Sequence, residues 1–467
     1  MNNFDPAIIN LIKDSVRIRH KQMPQEVFDK ATALFLDTIA CIYAGSSIEG
    51  ISELRKLILR WAGGGDADVI SFGDKISAPY AAFLNSAMAH ARDFDDTHDL
   101  AVNHGCVTIV PALLAVSQSV ERQISGREFL AALAVGLEVS NRFGMAFIEY
   151  LHPGWLPTTL WGPIGSAIAC GRILGLNEAQ MRNAVGFAYS QIHGNRQALE
   201  DGAFAKKIQP AFSSQAGVIA AYLAKINLSA ARNIISGNFG IPKLYTKGNI
   251  EESFLVKGID NFDQLFNVSV KPYPCCRCTH PVIDAAMELC EKYKIMPDDV
   301  IEGVCYLPPS SMAQIGKHFT LRDNPAIDAQ FSAAYTAALA ISKGKIGVSD
   351  FTVEAITGRG DILKLADKFK CVEFEKSSST LTPVELKIKN KQNQVYQTRI
   401  EHVTGSREKP LSEQQFYTKF ADCLLSANKL VRDSEIKTIY AELKNLISLK
   451  DIKVCLDKLI VVKQGGI

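Results

Sequence analysis

The chain has no run of about 18 consecutive apolar residues, the length a membrane-spanning helix needs, so no membrane span is expected although 47% of its residues are hydrophobic. It also lacks an excess of either charge. Lys and Arg number 51 against 49 Asp and Glu, a net charge of +2, which offers no bulk attraction to nucleic acid or to an anionic membrane. A small anionic ligand needs only local positive charge and is not excluded. Met1–Asp5 carries neither a basic segment nor a following apolar stretch, so no secretory leader is expected. The 11 cysteines form no paired framework. Cys41, Cys170, Cys290 and Cys423 fall within apolar helical patterns and read as small buried hydrophobes, consistent with a reducing, cytoplasmic setting. Cys275-Cys276-Arg277-Cys278, with His280 nearby, has no second ligand pair at zinc-binding spacing, so no metal is expected there. No period of 20–50 residues repeats, which argues against a solenoid.

What remains is mostly helix. Val27, Ala31, Leu34, Phe35, Ile39 and Ile42 keep helical spacing after Pro24, with Gly45 as a stop. Asn85–Ala91, Val107–Val120, Gly126–Arg142, Gly162–Leu174, Glu178–His193 and Ser213–Lys225 continue the pattern. Near residue 265 the character changes. Val268–Val270, Gly303–Leu307 and Val372–Phe374 read as strands, and 384–388 and 395–400 alternate about an Asn390–Asn393 turn, as a β-hairpin does. Helices are expected between them at Pro281–Tyr293, Asp328–Lys343 and Ala355–Thr357. After 405–410 the amphipathic helices Leu411–Leu425 and Ser434–Leu449 are expected to pack back on the N-terminal ones. The expectation is a mainly α protein. A large, discontinuous all-helical domain (1–264 and 405–467) carries a smaller inserted α+β domain (265–404), and a ligand site lies in the cleft between them.

The densest chemistry lies in Asp93-Phe94-Asp95-Asp96-Thr97-His98, with His104 six residues on. Carboxylates, a hydroxyl and imidazoles stand amid Ala81, Ala82, Ala87 and Ala89 on one side and Val107, Ile109, Val110 and Leu113 on the other. Charges in such a setting must be paired, hydrogen-bonded or used. If the segment is helical, Asp93 and Thr97 share a face. His90 and His98-Asp99 superficially resemble the metal-binding H…HD…D arrangement of helical phosphohydrolases. The first histidine and the pair stand only eight residues apart, too close for ligands presented by separate helices.

The signatures run in order along nearly the whole chain: Asp37-Thr38-Ile39-Ala40; Asn85, His90 and Asp93–His98, then His104; His152-Pro153 and Gly162–Gly165; Asp201-Gly202, Lys206 and Ala216–Val218; Lys271–Cys276 with His280; Phe331-Ser332, Tyr335 and Gly344. Together they resemble the MmgE/PrpD family, which includes 2-methylcitrate dehydratases, cis-aconitate decarboxylases and iminodisuccinate epimerases. The resemblance implies an all-helical domain with an α+β lid, a homodimer, no metal or organic cofactor, and a small di- or tricarboxylate substrate. By position it implies His104 as acid/base, His152 as a second proton carrier, and Asp93 and Thr97 orienting an imidazole or holding a carboxylate. Lys206 and Lys271 would bind substrate carboxylates, and Tyr335 would donate a hydrogen bond from the lid. Asp95 and Asp96 read as structural helix-end or salt-bridge partners. The family chemistry forms a carbanion or enol beside a carboxylate, which cations stabilise and a near-neutral imidazole protonates or deprotonates. The expected outcome is a lyase, dehydrating or decarboxylating. Epimerisation of an iminodisuccinate-like compound, or polycarboxylate binding without turnover, are the alternatives. Gly105, Trp155, Trp161, Gln209, Phe212–Ser214 and Ala333-Ala334 depart from the family's usual residues and are expected to reshape the pocket.

Overall fold

The computed structural model describes residues 5–259, 261–374, 381–427 and 431–459. The protein is mainly α, 59% helical, with a small sheet-containing region toward the C-terminus. Helix Gln25–Ser46 buries Val27, Phe28, Ala31, Leu34, Phe35, Ile39 and Ile42, the stripe its spacing predicts. Helix Ala78–His90 opens with Pro79 in its first turn and is buried along nearly its whole length. It packs against Gln25–Ser46, Cys106–Ser119 and Ala205–Lys225. Small residues permit the closest of these approaches: a Cβ at Gly45 would sit 1.9 Å from the Met88 carbonyl oxygen.

Two local differences from the sequence expectation matter to the site. Helix Ala205–Lys225 begins well before Ser213 and runs through Pro210. The proline lies near the helix start, where its missing N–H forfeits one intrahelical bond, and the extra turn carries Lys206. The second difference concerns Val268–Ser269. This strand does not join the later strands but pairs antiparallel with Thr97–His98. That pairing delivers Lys271 to the loop that begins at Asp93.

One hydrophobic core gathers the helices up to Val270 and, from the C-terminal helices, Phe420, Cys423, Leu424, Ile436, Tyr440 and Leu443. A second core spans residues between Cys275 and Val403. Its sheet has the order Phe369–Glu373, Val300–Leu307, Val384–Asn390, Val395–Ile400; the first pair is parallel and the others antiparallel. The hairpin pairs Val384 with Ile400 and Lys389 with Val395, in the register alternation requires. The expected helix 328–343 is two, Pro325–Gln330 and Ala333–Lys343, with the Ser332 hydroxyl capping the second. The chain returns to the first core through Gly405, at φ +90°, where a Cβ would lie 1.9 Å from the Val270 oxygen; only glycine fits. The returning helix Glu413–Ala427 places Lys419 3% exposed. Its ammonium meets Asp37 Oδ1 at 2.5 Å, donates to the Phe94 carbonyl at 2.7 Å and lies 4.1 Å from the Phe94 ring centroid. Lys419 thus ties the C-terminal helix to the Asp93–His98 loop and, through Asp37, to helix Gln25–Ser46.

Candidate active site

Helix Ala78–His90 ends and the chain turns through Asp93, whose φ is +54°. Aspartate tolerates this left-handed conformation better than most residues. Val102, in the same loop, has φ +51°, a strained value for a β-branched side chain. Both residues line one cavity of about 290 Å³. The segment is not helical, so Asp93 and Thr97 do not share a helix face; Thr97 lies in the short strand paired with Ser269.

Asp93 does not orient an imidazole. Its Oδ2 accepts from Lys206 Nζ at 2.9 Å and its Oδ1 from Lys271 Nζ at 2.6 Å, and Lys271 also donates to the Asp93 backbone oxygen at 3.0 Å. Burial pushes the Asp93 carboxyl up, but the two ammoniums outweigh it and hold it well below the usual carboxylate range. Lys271 is fully buried. Burial lowers its pKa, and Asp93 and Asp95 more than restore it, so it stays charged. The trio carries a net single positive charge. Each ammonium has three donors, so both keep N–H groups beyond those given to Asp93.

Asp95, read from the sequence as a helix-end or salt-bridge partner, is the acid that pairs with the imidazoles. One of its oxygens, Oδ2, faces His90 Nδ1 at 3.0 Å and His104 Nδ1 at 2.9 Å. His104 Nδ1 also stands 2.7 Å from the Asp96 backbone oxygen. A carbonyl oxygen only accepts, so His104 Nδ1 carries a proton and Nε2 is the ring's remaining basic atom. Burial pushes Asp95 up, but His90 and His104 hold it well below the carboxylate range. Burial also lowers His90 to about 4, keeping it neutral near pH 7. Thr97 Oγ1 approaches His104 Nδ1 at 3.4 Å, and the His104 N–H donates to Thr158 Oγ1 at 3.0 Å.

Asp96 has the structural role expected of it. Both its oxygens lie 3.2 Å from the Cys106 N–H at the start of helix Cys106–Ser119. Burial, then the Asp95 charge, raises its pKa to about 7. A carboxyl raised from 3.8 to about 7 lets the folded state bind a proton before the unfolded state does, so its contribution to stability grows as pH falls from 7 to 4. The melting temperature of Asp96→Asn should therefore fall further below the parent's at pH 5 than at pH 8. A constant difference across that range would show that Asp96 does not titrate there.

The cavity is lined by His90, Asp93, Thr97, His104, His152, Lys206 and Lys271, drawn from segments far apart in sequence. His152 lies exposed, its Nδ1 accepting from the Gly154 N–H at 3.0 Å. Tyr335 is not among the lining residues. It is fully buried in the second core between Phe319 and Phe351, its hydroxyl without a hydrogen-bond partner among the described residues, because it lies on the inward face of helix Ala333–Lys343. Tyr335→Phe should leave turnover within about twofold and hold or raise the melting temperature, since an unsatisfied buried hydroxyl contributes nothing favourable. His98 is likewise structural: its Nδ1 accepts from the Ala101 N–H and its Nε2 meets Gln264. Of the departures from the family pattern, Trp155 lines the cavity, whereas Gly105, Trp161, Gln209 and Phe212 do not. Trp161 stacks on Phe147 in the core, and Phe212 packs on Phe83 and His193.

Sequence reasoning passed over Arg277, treated only as part of a cysteine run. It lines the cavity, paired through Nε and Nη2 with Asp99, both at 3.0 Å. The available signal was a lone arginine among apolar neighbours with an acid two residues beyond Thr97. Among the described residues one group of metal-ligand type gathers, His90, Asp95 and His104. The Asp96 carbonyl beside His104 Nδ1 requires a proton there, so this geometry is that of a hydrogen-bonded cluster. Among the described residues no such group forms around Cys275, which bonds Thr279, or around Cys276 and Cys278.

The family model of the MmgE/PrpD N-terminal domain matches residues 14–253, and that of the C-terminal domain matches residues 273–445. The chain belongs to the MmgE/PrpD family. A cis-aconitate decarboxylase of Aspergillus terreus is 26% identical over 457 residues, covering 94% of this chain and 92% of its own. A cis-aconitate decarboxylase-like protein, oryM, of Aspergillus oryzae is 27% identical over 383 residues, 77% and 78% of the two chains. The human cis-aconitate decarboxylase is 24% identical over 450 residues, 92% and 90%. Membership of this family and the decarboxylase names of these relatives support an enzyme of lyase type. No single helix among its described residues is long and apolar enough to cross a membrane.

Proposed function

We propose that this protein is a lyase for a small di- or tricarboxylate, most readily a decarboxylase of a cis-aconitate-like unsaturated acid. The observation that supports this is the joining, in one cavity, of an imidazole with a defined proton-bearing nitrogen and two ammoniums with spare donors. The ammoniums hold substrate carboxylates and stabilise the negative charge that develops beside them. In decarboxylation, the bond to one carboxyl breaks and carbon dioxide leaves. The electron pair moves across the double bond to the carbon next to a second carboxylate, and that carbon takes a proton. His104 Nε2 delivers the proton when the ring is imidazolium and acts as base when it is neutral, with Asp95 holding the ring in place through Nδ1. His152, at the mouth, is placed to exchange protons with solvent.

The test is proton NMR of the purified enzyme in D2O with cis-aconitate, 2-methylcitrate, citrate and iminodisuccinate. The expected result is a decarboxylated product carrying one deuterium at the protonated carbon. Water loss or inversion without loss of carbon dioxide would move the assignment to dehydration or epimerisation. No change in any of the four, nor in an alkyl-substituted cis-aconitate, would overturn it.

A further inference from the structure

The polar groups account for only part of the cavity wall. Ile148, Leu151, Trp155, Leu156, Leu199 and Leu381 also line it, and four of these come from the single segment 148–156. A compact polycarboxylate has every carbon within a bond or two of a charge. Pressing it against such a wall would strip water from carboxylates without giving hydrogen bonds in return, which is costly. The wall is also tied in place. The Trp155 ring packs edge-on against Tyr245 at 5.0 Å between centroids. The Trp155 N–H donates to the His152 oxygen at 3.0 Å, and the Arg196 N–H to the Gly154 oxygen at 2.9 Å. A preformed apolar surface continuous with an ionic site fits a ligand that has both characters.

We infer that the substrate carries an apolar arm. Its carboxylates meet Lys206 and Lys271, and an alkyl substituent lies against Leu151, Trp155 and Leu156. The inference rests on the polycarboxylate reading above and narrows it to alkyl-substituted acids. Burying alkyl surface on this wall gains affinity in proportion to the area covered.

The test uses unreactive saturated ligands, succinate, 2-methylsuccinate and 2-butylsuccinate, titrated calorimetrically into the wild-type enzyme. Dissociation constants should fall about fourfold per added methylene. In Trp155→Ala and, separately, Leu151→Asn, the butylsuccinate-to-succinate affinity ratio should collapse toward one, with melting temperatures confirming that each variant is folded. Equal affinity of wild type for the three ligands overturns the inference. Turnover of cis-aconitate together with equal affinities would leave the lyase reading standing while the apolar arm falls. Tightening with chain length while neither the NMR panel nor an alkyl-substituted cis-aconitate reacts would overturn the lyase reading and keep the apolar subsite.

Discussion

His104→Gln is expected to fold with a melting temperature near the parent's and to lose about 10³-fold of its turnover, within the range proton transfer by a placed side chain supplies. Glutamine keeps a hydrogen-bonding group beside Asp95 but has no atom that cycles a proton near neutral pH. Asp95 also retains His90 as a partner at 3.0 Å, so its buried charge is not orphaned. The effect should fall on kcat more than on KM, because Lys206 and Lys271, which carry the proposed carboxylate binding, are untouched. Steady-state kinetics on whichever panel acid reacts checks this. Retention of more than a tenth of the parent's kcat would show that another group moves the proton, with His152, exposed at the cavity mouth, the next to test.

The second large effect is expected at Lys271, and it concerns stability as well as activity. Lys271→Met removes a fully buried ammonium that faces Asp93 Oδ1 at 2.6 Å and the Asp93 oxygen at 3.0 Å. Deleting one partner of a buried ion pair typically destabilises by about 3–5 kcal/mol. Lys206, 12% exposed at its side chain, moderates the loss by continuing to neutralise Asp93. Because Asp93 is held below its ordinary pKa, its pairing contributes stability above about pH 4 that is lost as pH falls through the folded-state value. That acid-linked component should shrink in the variant. Adding Asp93→Asn to Lys271→Met should recover part of the stability, since the uncompensated charge disappears, and none of the activity. Urea denaturation of the two single variants and the double variant measures the coupling. Additive losses would show that the pair is not a coupled unit.

Much of this molecule is legible along the chain. The stripe from Val27 to Ile42, the hairpin about residues 390–393 and the change of character after the first helices are local patterns, and local patterns survive folding when packing agrees with them. Six residues that the sequence singles out also come together in space. His104, Lys206, Lys271, Asp93, Thr97 and His152 do line one cavity. Tyr335 was not legible, because an Ala-rich helix with one tyrosine does not show which face turns inward. The start of helix Ala205–Lys225 was hidden because Ser213 marks where the apolar pattern becomes regular, whereas packing against Pro157–Ile173 and Ala78–His90 supports the turns before it.

The sequence by itself determined which chemical groups the protein would have to accommodate: acids, imidazoles and lysines within apolar surroundings that forbid them to stand alone. Tertiary structure alone decided how those groups divide. Asp93, Asp95, Asp96 and Asp99 are the same functional group within seven residues, and nothing in their order says that one holds two lysines, one two histidines, one a helix start and one an arginine. The positive φ at Asp93 and the pairing of Thr97–His98 with Val268–Ser269 point successive side chains in different directions. The partners arrive from residues as far along the chain as Lys271 and Arg277. Direction in space and long-range encounter are properties of the packed backbone, and no local spacing encodes them.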